Sequence, residues 1–180
     1  RLVKPAVGAG YGGKCDPFCT ELCAAYLART LGRPVRIVLS REEVFYAHRG
    51  RHPMQLAYRT SYSKDGRVSG VDAKILIDGG SYSSFGLVTT YYAGQLLTGP
   101  YDFPNYRFDS TRVFTNKPPC GPKRGHGTPQ PRFALEVQLD KIACDLGLDP
   151  ARIRLDNLAP RDSLTANFLR IGSMGLGACI

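Results

Sequence analysis

The chain has 180 residues, 43% of them apolar and 22% charged, with 24 Lys and Arg against 15 Asp and Glu for a formal charge of +9. That length supports one ordinary domain with a real core, and 18 Tyr and Phe (10 and 8) with that apolar share exclude intrinsic disorder. Six Cys in 180 residues are too dilute for a disulfide-stapled miniprotein.

The basic residues are scattered, with no run longer than two, which argues against a nucleic-acid-binding tail and leaves a generally basic surface or an anionic ligand. The chain starts without Met and stops in a glycine-rich stretch, so a longer parent polypeptide truncated at both ends is expected, with no signal peptide in view. A cytoplasmic location follows as the expectation.

Taken in order, an apolar stretch leads into Gly8-Ala9-Gly10-Tyr11-Gly12-Gly13. Asp16-Pro17 then reads as an N-cap and first-turn proline for a helix running to about Leu31, closed by Gly32. Cys15, Cys19 and Cys23 recur at i, i+4 and i+8 on that helix. They lack the CxxC pairs and His partners of zinc sites and the spacing of iron–sulfur ligation, so small buried residues in a reducing cytosol are expected. Residues 35–39 are expected to form a short strand, and Ser40-Arg41-Glu42-Glu43 to form a capping box that starts a short helix.

From Met54 the period becomes two. Met54, Leu56, Tyr58, Thr60 and Tyr62 alternate outward, Lys64-Asp65-Gly66-Arg67 turns, and Val71, Ala73, Ile75 and Ile77 alternate back: a β-hairpin with one face on a core. Residues 79–101 carry no charge, yet five glycines and many hydroxyls make a poor lipid-facing helix. A buried, hydroxyl-lined segment beside a ligand or a subunit interface fits better. A strand is predicted near residues 106–114, a helix over 133–146 ended by Gly147, and another from Asp149-Pro150 to about Leu158. The fold class is α+β, a mixed or antiparallel sheet with packed helices.

Two elements carry chemistry. Residues 8–13 formally contain GxGxxG, but Glu42 lies 29 residues past the last glycine rather than near 20, and a hairpin follows instead of another βαβ unit; both weigh against a dinucleotide fold. The glycines still imply close backbone approach or positive φ. Residues 118–130 combine prolines, Cys120, alternating glycines, Lys123, Arg124 and His126. This is either a site loop, with Arg124 donating to an anion or oxo group and His126 titrating or stacking, or a solvated surface loop. His48, His52 and His126 show no metal-ligand spacing, and the first two are expected as a surface pair.

Six segments in order, GAGYGGK (8–14), RPVRIVLSREE (33–43), GRHP (50–53), KDGR (64–67), KRGHGTPQ (123–130) and LGLDPARIRLDNL (146–158), resemble the molybdenum-binding large subunit of the xanthine oxidase family of molybdenum hydroxylases. In that family the corresponding stretches read GGGFGGK, RPVRxxxxREE, GRHP, xDGR, an RGFGGPQ-like loop and LGLDP. The resemblance implies that residues 1–180 are part of a molybdopterin-binding domain. Within the family, residues 79–101 and 115–127 look most like the large subunit of 4-hydroxybenzoyl-CoA reductase, which removes a phenolic hydroxyl from an aromatic thioester; the alternative is hydroxylation of an aldehyde or heterocycle.

The resemblance implies a molybdenum-pyranopterin (molybdopterin cytosine dinucleotide) approached by Gly10, Tyr11, Gly12 and Gly13, with Arg124 beside the metal centre. His126 stands where relatives stack a phenylalanine on the aromatic substrate. Cys15 and Tyr92 replace a glutamate and an arginine that bind purines, so both speak against a purine substrate. Tyr82, Tyr91, Tyr92 and His126 are candidate proton donors, and Ala9 replaces one of the family's glycines. The metal is carried by the organic cofactor, so no protein thiolate is implied as a ligand. Iron–sulfur clusters and FAD would sit on partner subunits, and a fragment of this size should be inactive alone.

Overall fold

A computed structural model describes residues 3–180; Arg1 and Leu2, the start of the apolar stretch, lie outside them. The predicted alternation at residues 54–62 and 68–78 produces strands β1 (Met54–Tyr62) and β2 (Val68–Asp78), antiparallel, with Met54 opposite Ile77 and Tyr58 opposite Ala73. Strand β3 (Tyr106–Val113) lies parallel to β2, giving a mixed three-stranded sheet in the order β1-β2-β3. Along β2 the period-two residues Val71, Ala73, Ile75 and Ile77 are buried while Lys74 and Leu76 between them are exposed, so one sheet face makes the core.

Two helices flank the sheet's start and three pack later in the chain: α1 (Cys19–Leu31), α2 (Arg41–Ala47), α3 (Gly86–Gln95), α4 (Pro129–Leu146) and α5 (Pro150–Asp156). Helix α4 buries Leu135, Leu139, Ile142 and Ala143 against Val68, Val71 and Ala73 of β2, with Ile153 of α5 completing the cluster. Burying each such side chain contributes about 1.5–3 kcal/mol. Helix α3 is the crossover between β2 and β3; its Ala93 packs on Ile75 and Ile77. Among the described residues no helix is long and apolar enough to cross a membrane.

Local signals succeeded where they satisfied backbone groups. Ser40 accepts from the Glu43 amide at 3.3 Å and Glu43 from the Ser40 amide at 2.6 Å, a complete capping box. Gly32 and Gly147 close α1 and α4 in the left-handed conformation, φ 62 and 65. Asp149 caps α5 through the Ala151 amide at 2.7 Å.

Several expectations are corrected. Helix α1 starts at Cys19, two residues later than Asp16-Pro17 implies: Glu21 accepts from the Phe18 amide at 3.1 Å, and the Asp16 carboxylate is taken by Arg49 at 3.2 Å and by Ser84 at 2.7 Å. Residues 35–39 form no strand, since they meet no neighbouring strand and Ile37 and Val38 stay exposed. The described part of the apolar stretch before Gly8 is likewise coil. Cys15, Cys19 and Cys23 are exposed free thiols, Cys15 ahead of α1 and the other two on a helix that buries none of its residues; only Cys120 of the six is buried. Helix α4 begins at Pro129, which occupies the first turn, four residues ahead of the predicted Phe133.

Asn157, in the LDNL stretch, ties the hairpin to α5. Its Oδ1 accepts from the Val68 amide at 2.8 Å, and its Nδ2 donates to Gly66 O at 2.9 Å and Ile153 O at 2.8 Å, all buried. Asn157→Ala leaves the Val68 amide and Gly66 carbonyl without these partners and is expected to cost roughly 2–4 kcal/mol. A thermal melt should show Tm lowered by about 5–15 °C; an unchanged melt would contradict the role.

Candidate functional site

The glycine loop and the basic loop, more than 100 residues apart in sequence, meet directly. Tyr11 takes φ 51 and Gly12 φ 92, and the turn is closed by the Gly13 amide donating to Gly10 O at 2.8 Å. A Cβ on Gly12 would stand 2.4 Å from Pro122 O and 2.8 Å from the Lys123 amide nitrogen, so only glycine permits this approach. The Arg124 amide donates to Tyr11 O at 2.9 Å, and the Arg124 guanidinium lies over the Tyr11 ring, 5.3 Å from its centroid.

Other motif residues hold the pair in place. Arg51, in GRHP, donates to Arg124 O at 2.6 Å and to Gly125 O at 3.4 Å. The Gly121 amide donates to Gly50 O at 3.0 Å, and Gln130 Nε2 donates to His52 O at 2.6 Å. Gly127, with φ 80, lets the basic loop sit on α3: a Cβ there would stand 2.6 Å from Thr89 O. Arg112 of β3 fastens the segment before α3, donating to Gly79 O, Tyr82 O and Ser83 O at 3.3, 3.1 and 3.2 Å.

Between these loops and α3 lies a cleft of about 410 Å³, a size that suits a small-molecule site. Tyr11, Gly12 and Cys15 line it from the first loop, Phe85, Val88 and Tyr92 from α3 and the residue before it, and residues 122–126 from the second. Its lining carries two cations, Lys123 and Arg124, and no carboxylate.

His126 forms the inner wall. Its ring stacks on His52 at 5.7 Å and 20°, meets Tyr92 edge-on at 6.4 Å, and hydrogen-bonds through Nε2 to Thr89 Oγ1. Burial holds His126 below the ordinary imidazole range, with Arg51 adding to the effect. His52 is buried at 2% exposure, which corrects the expected surface pair; the hairpin start and α3 close over it. Burial, then His126 and Arg112, push its pKa down to about 4, against an opposing pull from Asp78.

The His52 shift sets a pH dependence. Between pH 6.5 and 4 an unfolded chain protonates His52 and the folded one does not, so stability is complete above pH 6.5 and is lost as pH falls through that window. Two and a half pH units correspond to roughly 3 kcal/mol. Denaturant unfolding over pH 4–7 is expected to show this slope in the native chain and a flattened one in His52→Gln; equal slopes would refute the assignment.

Of the residues expected at the site, Tyr11, Gly12, Cys15, Tyr92, Arg124 and His126 come together around the cleft. Gly10 and Gly13 sit behind the lining: Gly10 O closes the turn, and a Cβ on Gly13 would stand 2.7 Å from His48 Nε2. Tyr82 and Tyr91 do not line it; Tyr82 is 79% exposed, and Tyr91 borders a separate depression with Tyr106 and Phe108. That corrects their place among proton donors. Phe85, Val88, Thr89 and His52 were missed, the first two lacking any motif and Thr89 signalled only by a hydroxyl within an uncharged segment.

Residues 1–158 match the family model described as molybdopterin cofactor-binding domain. The chain belongs to this family. The molybdopterin-binding domain is 38% identical to a putative xanthine dehydrogenase molybdenum-binding subunit of Escherichia coli, over 100% of this chain and 24% of that protein. It is also 38% identical to the nicotinate dehydrogenase large molybdopterin subunit of Eubacterium barkeri, over 87% of this chain and 37% of that protein. The fold superposes on aldehyde oxidoreductase of Desulfovibrio gigas with TM-score 0.86 at 28% identity, covering 93% of this chain and 18% of that one. The chain therefore spans about a quarter to a third of the length of these curated relatives.

The residues present fit an anionic pterin cofactor. Among the described residues no protein acceptor meets the backbone amides of Tyr11, Gly12, Gly125 or His126, four of the residues that line the cleft. Free amides, a guanidinium and an ammonium with no carboxylate opposite them make a donor set for phosphate, sulfur or oxo groups. Among the described residues no cluster of three or more His, Cys, Asp or Glu is placed to hold a metal ion.

Proposed function

We propose that this chain forms part of the cofactor- and substrate-binding region of a molybdenum-dependent oxidoreductase of the xanthine oxidase family, and that the parent enzyme dehydroxylates 4-hydroxybenzoyl-CoA to benzoyl-CoA. The observation carrying this reading is the junction of Tyr11–Gly12 with residues 122–126 around one carboxylate-free cleft walled by aromatic rings. When bound, the molybdenum-pyranopterin, as its cytosine dinucleotide form, supplies the two-electron chemistry. The Tyr11 and Gly12 amides and Arg124 hold its anionic groups, while Gly10 and Gly13 keep the loop's turn tight.

A flat aromatic acyl group would lie between His126, Tyr92 and Phe85, with Cys15 at the rim. The cleft supplies no carboxylate to a purine. Replacing a phenolic hydroxyl by hydrogen takes up two electrons and two protons and releases water; His126 and Tyr92 are the protein groups placed to handle protons there. Electrons would arrive through iron–sulfur clusters and FAD on partner subunits, in the cytoplasm of a cell degrading aromatic compounds.

A second reading, hydroxylation of an aldehyde or heterocycle, is favoured by the names of the relatives, which include nicotinate and aldehyde enzymes. Assaying the complete complex separates the two. The first predicts benzoyl-CoA from 4-hydroxybenzoyl-CoA with a low-potential donor and little oxidation of nicotinate, xanthine or aldehydes; the reverse pattern selects hydroxylation.

A further inference from the structure

One carboxylate joins two turns that flank the cleft. Ser84 Oγ donates to Asp16 Oδ2 at 2.7 Å, across 68 residues of chain, and Arg49 Nη1 lies 3.2 Å from the same oxygen. Both Asp16 and Ser84 adjoin a residue that lines the cleft: Asp16 follows Cys15, and Ser84 precedes Phe85. Asp16, Ser84 and Arg49 do not line it themselves. Ser84 has φ 40, in the left-handed region, where a residue with a Cβ is strained and persists only if its surroundings hold it. Arg112 holds the carbonyls of Tyr82 and Ser83, and the Ser84 hydroxyl ties this turn to the first loop.

Arg49 is held on several sides. Its Nη2 donates to Pro17 O at 2.7 Å, and its guanidinium lies over the Phe18 ring, 4.5 Å from the centroid. Its stem fills the space beside Gly121, where a Cβ would stand 2.7 Å from Arg49 Cδ. Gly121 in turn precedes Pro122, the first basic-loop residue at the cleft. The side chains of Arg49 and Asp16 are 18% and 22% exposed, so solvent ions screen the pair less than a fully exposed one. These contacts reach the first loop, the turn before α3 and the root of the basic loop. The bonds that join the two loops at the cofactor side, from the Arg124 amide to Tyr11 O and from Arg51 to Arg124 O, do not pass through them.

We propose that Ser84, Asp16 and Arg49 form a clasp that fixes Cys15 and Phe85 relative to one another and so sets how tightly the cleft grips an aromatic ligand. All three are positioning residues, acting on the ligand only through the lining residues beside them. Cofactor retention belongs to the separate contacts of Tyr11, Gly12 and Arg124, so the clasp governs affinity for the substrate and not the chemical step. Its service to a substrate rests on the function proposed above; the coupling of the two turns does not.

Hydrogen-exchange mass spectrometry on the complete protein tests the coupling. Ser84→Gly suits a backbone at φ 40 and removes the hydroxyl, so its effect cannot come from new strain. Exchange over residues 13–18, on the far side of the lost bond, should rise at least about threefold; native exchange there overturns the clasp. Asp16→Ala should give the reciprocal rise over residues 83–88. Kinetics of the complete molybdenum-loaded enzyme tests the service, using whichever of 4-hydroxybenzoyl-CoA, nicotinate or benzaldehyde the native enzyme turns over. Each variant should raise KM roughly fivefold to tenfold and keep kcat within about twofold. The double variant should match the worse single one, because the two groups act through one bond; effects that multiply would overturn the clasp. Raised exchange with native KM would overturn its role toward the ligand. A native enzyme that turns over nicotinate or benzaldehyde and not 4-hydroxybenzoyl-CoA would fail the functional reading while leaving both measurements on the clasp in force.

Discussion

Arg124→Ala abolishes turnover in the complete molybdenum enzyme, with a fall of about 10²–10³-fold in kcat, while Tm stays close to native. The size follows from losing one preorganised cationic donor at the cleft, about 3–4 kcal/mol of transition-state stabilisation. The specificity follows from the geometry. The basic loop is held through Arg124's backbone, its amide on Tyr11 O and its carbonyl on Arg51, and these bonds survive loss of the side chain. What disappears is the guanidinium over the Tyr11 ring at the cleft. Arg124→Lys keeps the charge without the planar fork and should fall between the two. Near-normal kcat in the alanine variant would count against the site.

Gly12→Ala is expected to have the opposite signature: loss of cofactor first, with activity following. At φ 92 an L-residue is strained by about 1–3 kcal/mol, and its Cβ would stand 2.4 Å from the Pro122 carbonyl oxygen, a backbone atom that no rotamer change can move. Relief requires the two loops to part, which removes the Arg124–Tyr11 hydrogen bond and opens the cleft. Molybdenum per protein, measured by elemental analysis, should drop at least tenfold, whereas the hairpin and α4 core, remote from the loops, should keep the far-ultraviolet circular dichroism unchanged. Full molybdenum occupancy in Gly12→Ala would show that the loops need not touch.

The elements legible in the sequence were those whose signals are local. Period-two apolar residues from Met54 to Ile77 gave register and core face together, and the Ser40–Glu43 box, Gly32, Gly147 and Asp149-Pro150 marked helix ends by satisfying backbone groups on the spot. Where burial or pairing depends on a distant partner, the same reading failed. The α1 cysteines and residues 35–39 are apolar enough for a core or a sheet, yet the described chain offers nothing to cover them. His52 went the other way, since no local pattern reveals that α3 and the basic loop enclose it.

At the site, the two glycine-rich segments were visible as segments, and the resemblance of six ordered motifs linked them to one cofactor. Ala9 in place of a glycine does not loosen the junction: the tight contact falls at Gly12, and the Ala9 carbonyl instead accepts from Lys14 Nζ at 2.6 Å. Helix α3 was the largest omission. Its sequence, GLVTTYYAGQ, mixes glycine, β-branched residues and hydroxyls that individually disfavour a helix, and tertiary packing of Ala93 on β2 overrides that propensity. The composition of residues 79–101 suggests a segment beside a ligand and the resemblance singles out Tyr92, but the place of Phe85 and Val88 in the cleft's third wall shows only in the folded chain.

The most direct test of one shared cradle is a crystal structure of the complete, molybdenum-loaded protein. Both the Tyr11–Gly12 backbone and the Arg124 side chain should contact the same pyranopterin-bound molybdenum group. A cofactor that touches one loop and leaves the other facing solvent, or that binds elsewhere in the protein, would contradict the assignment.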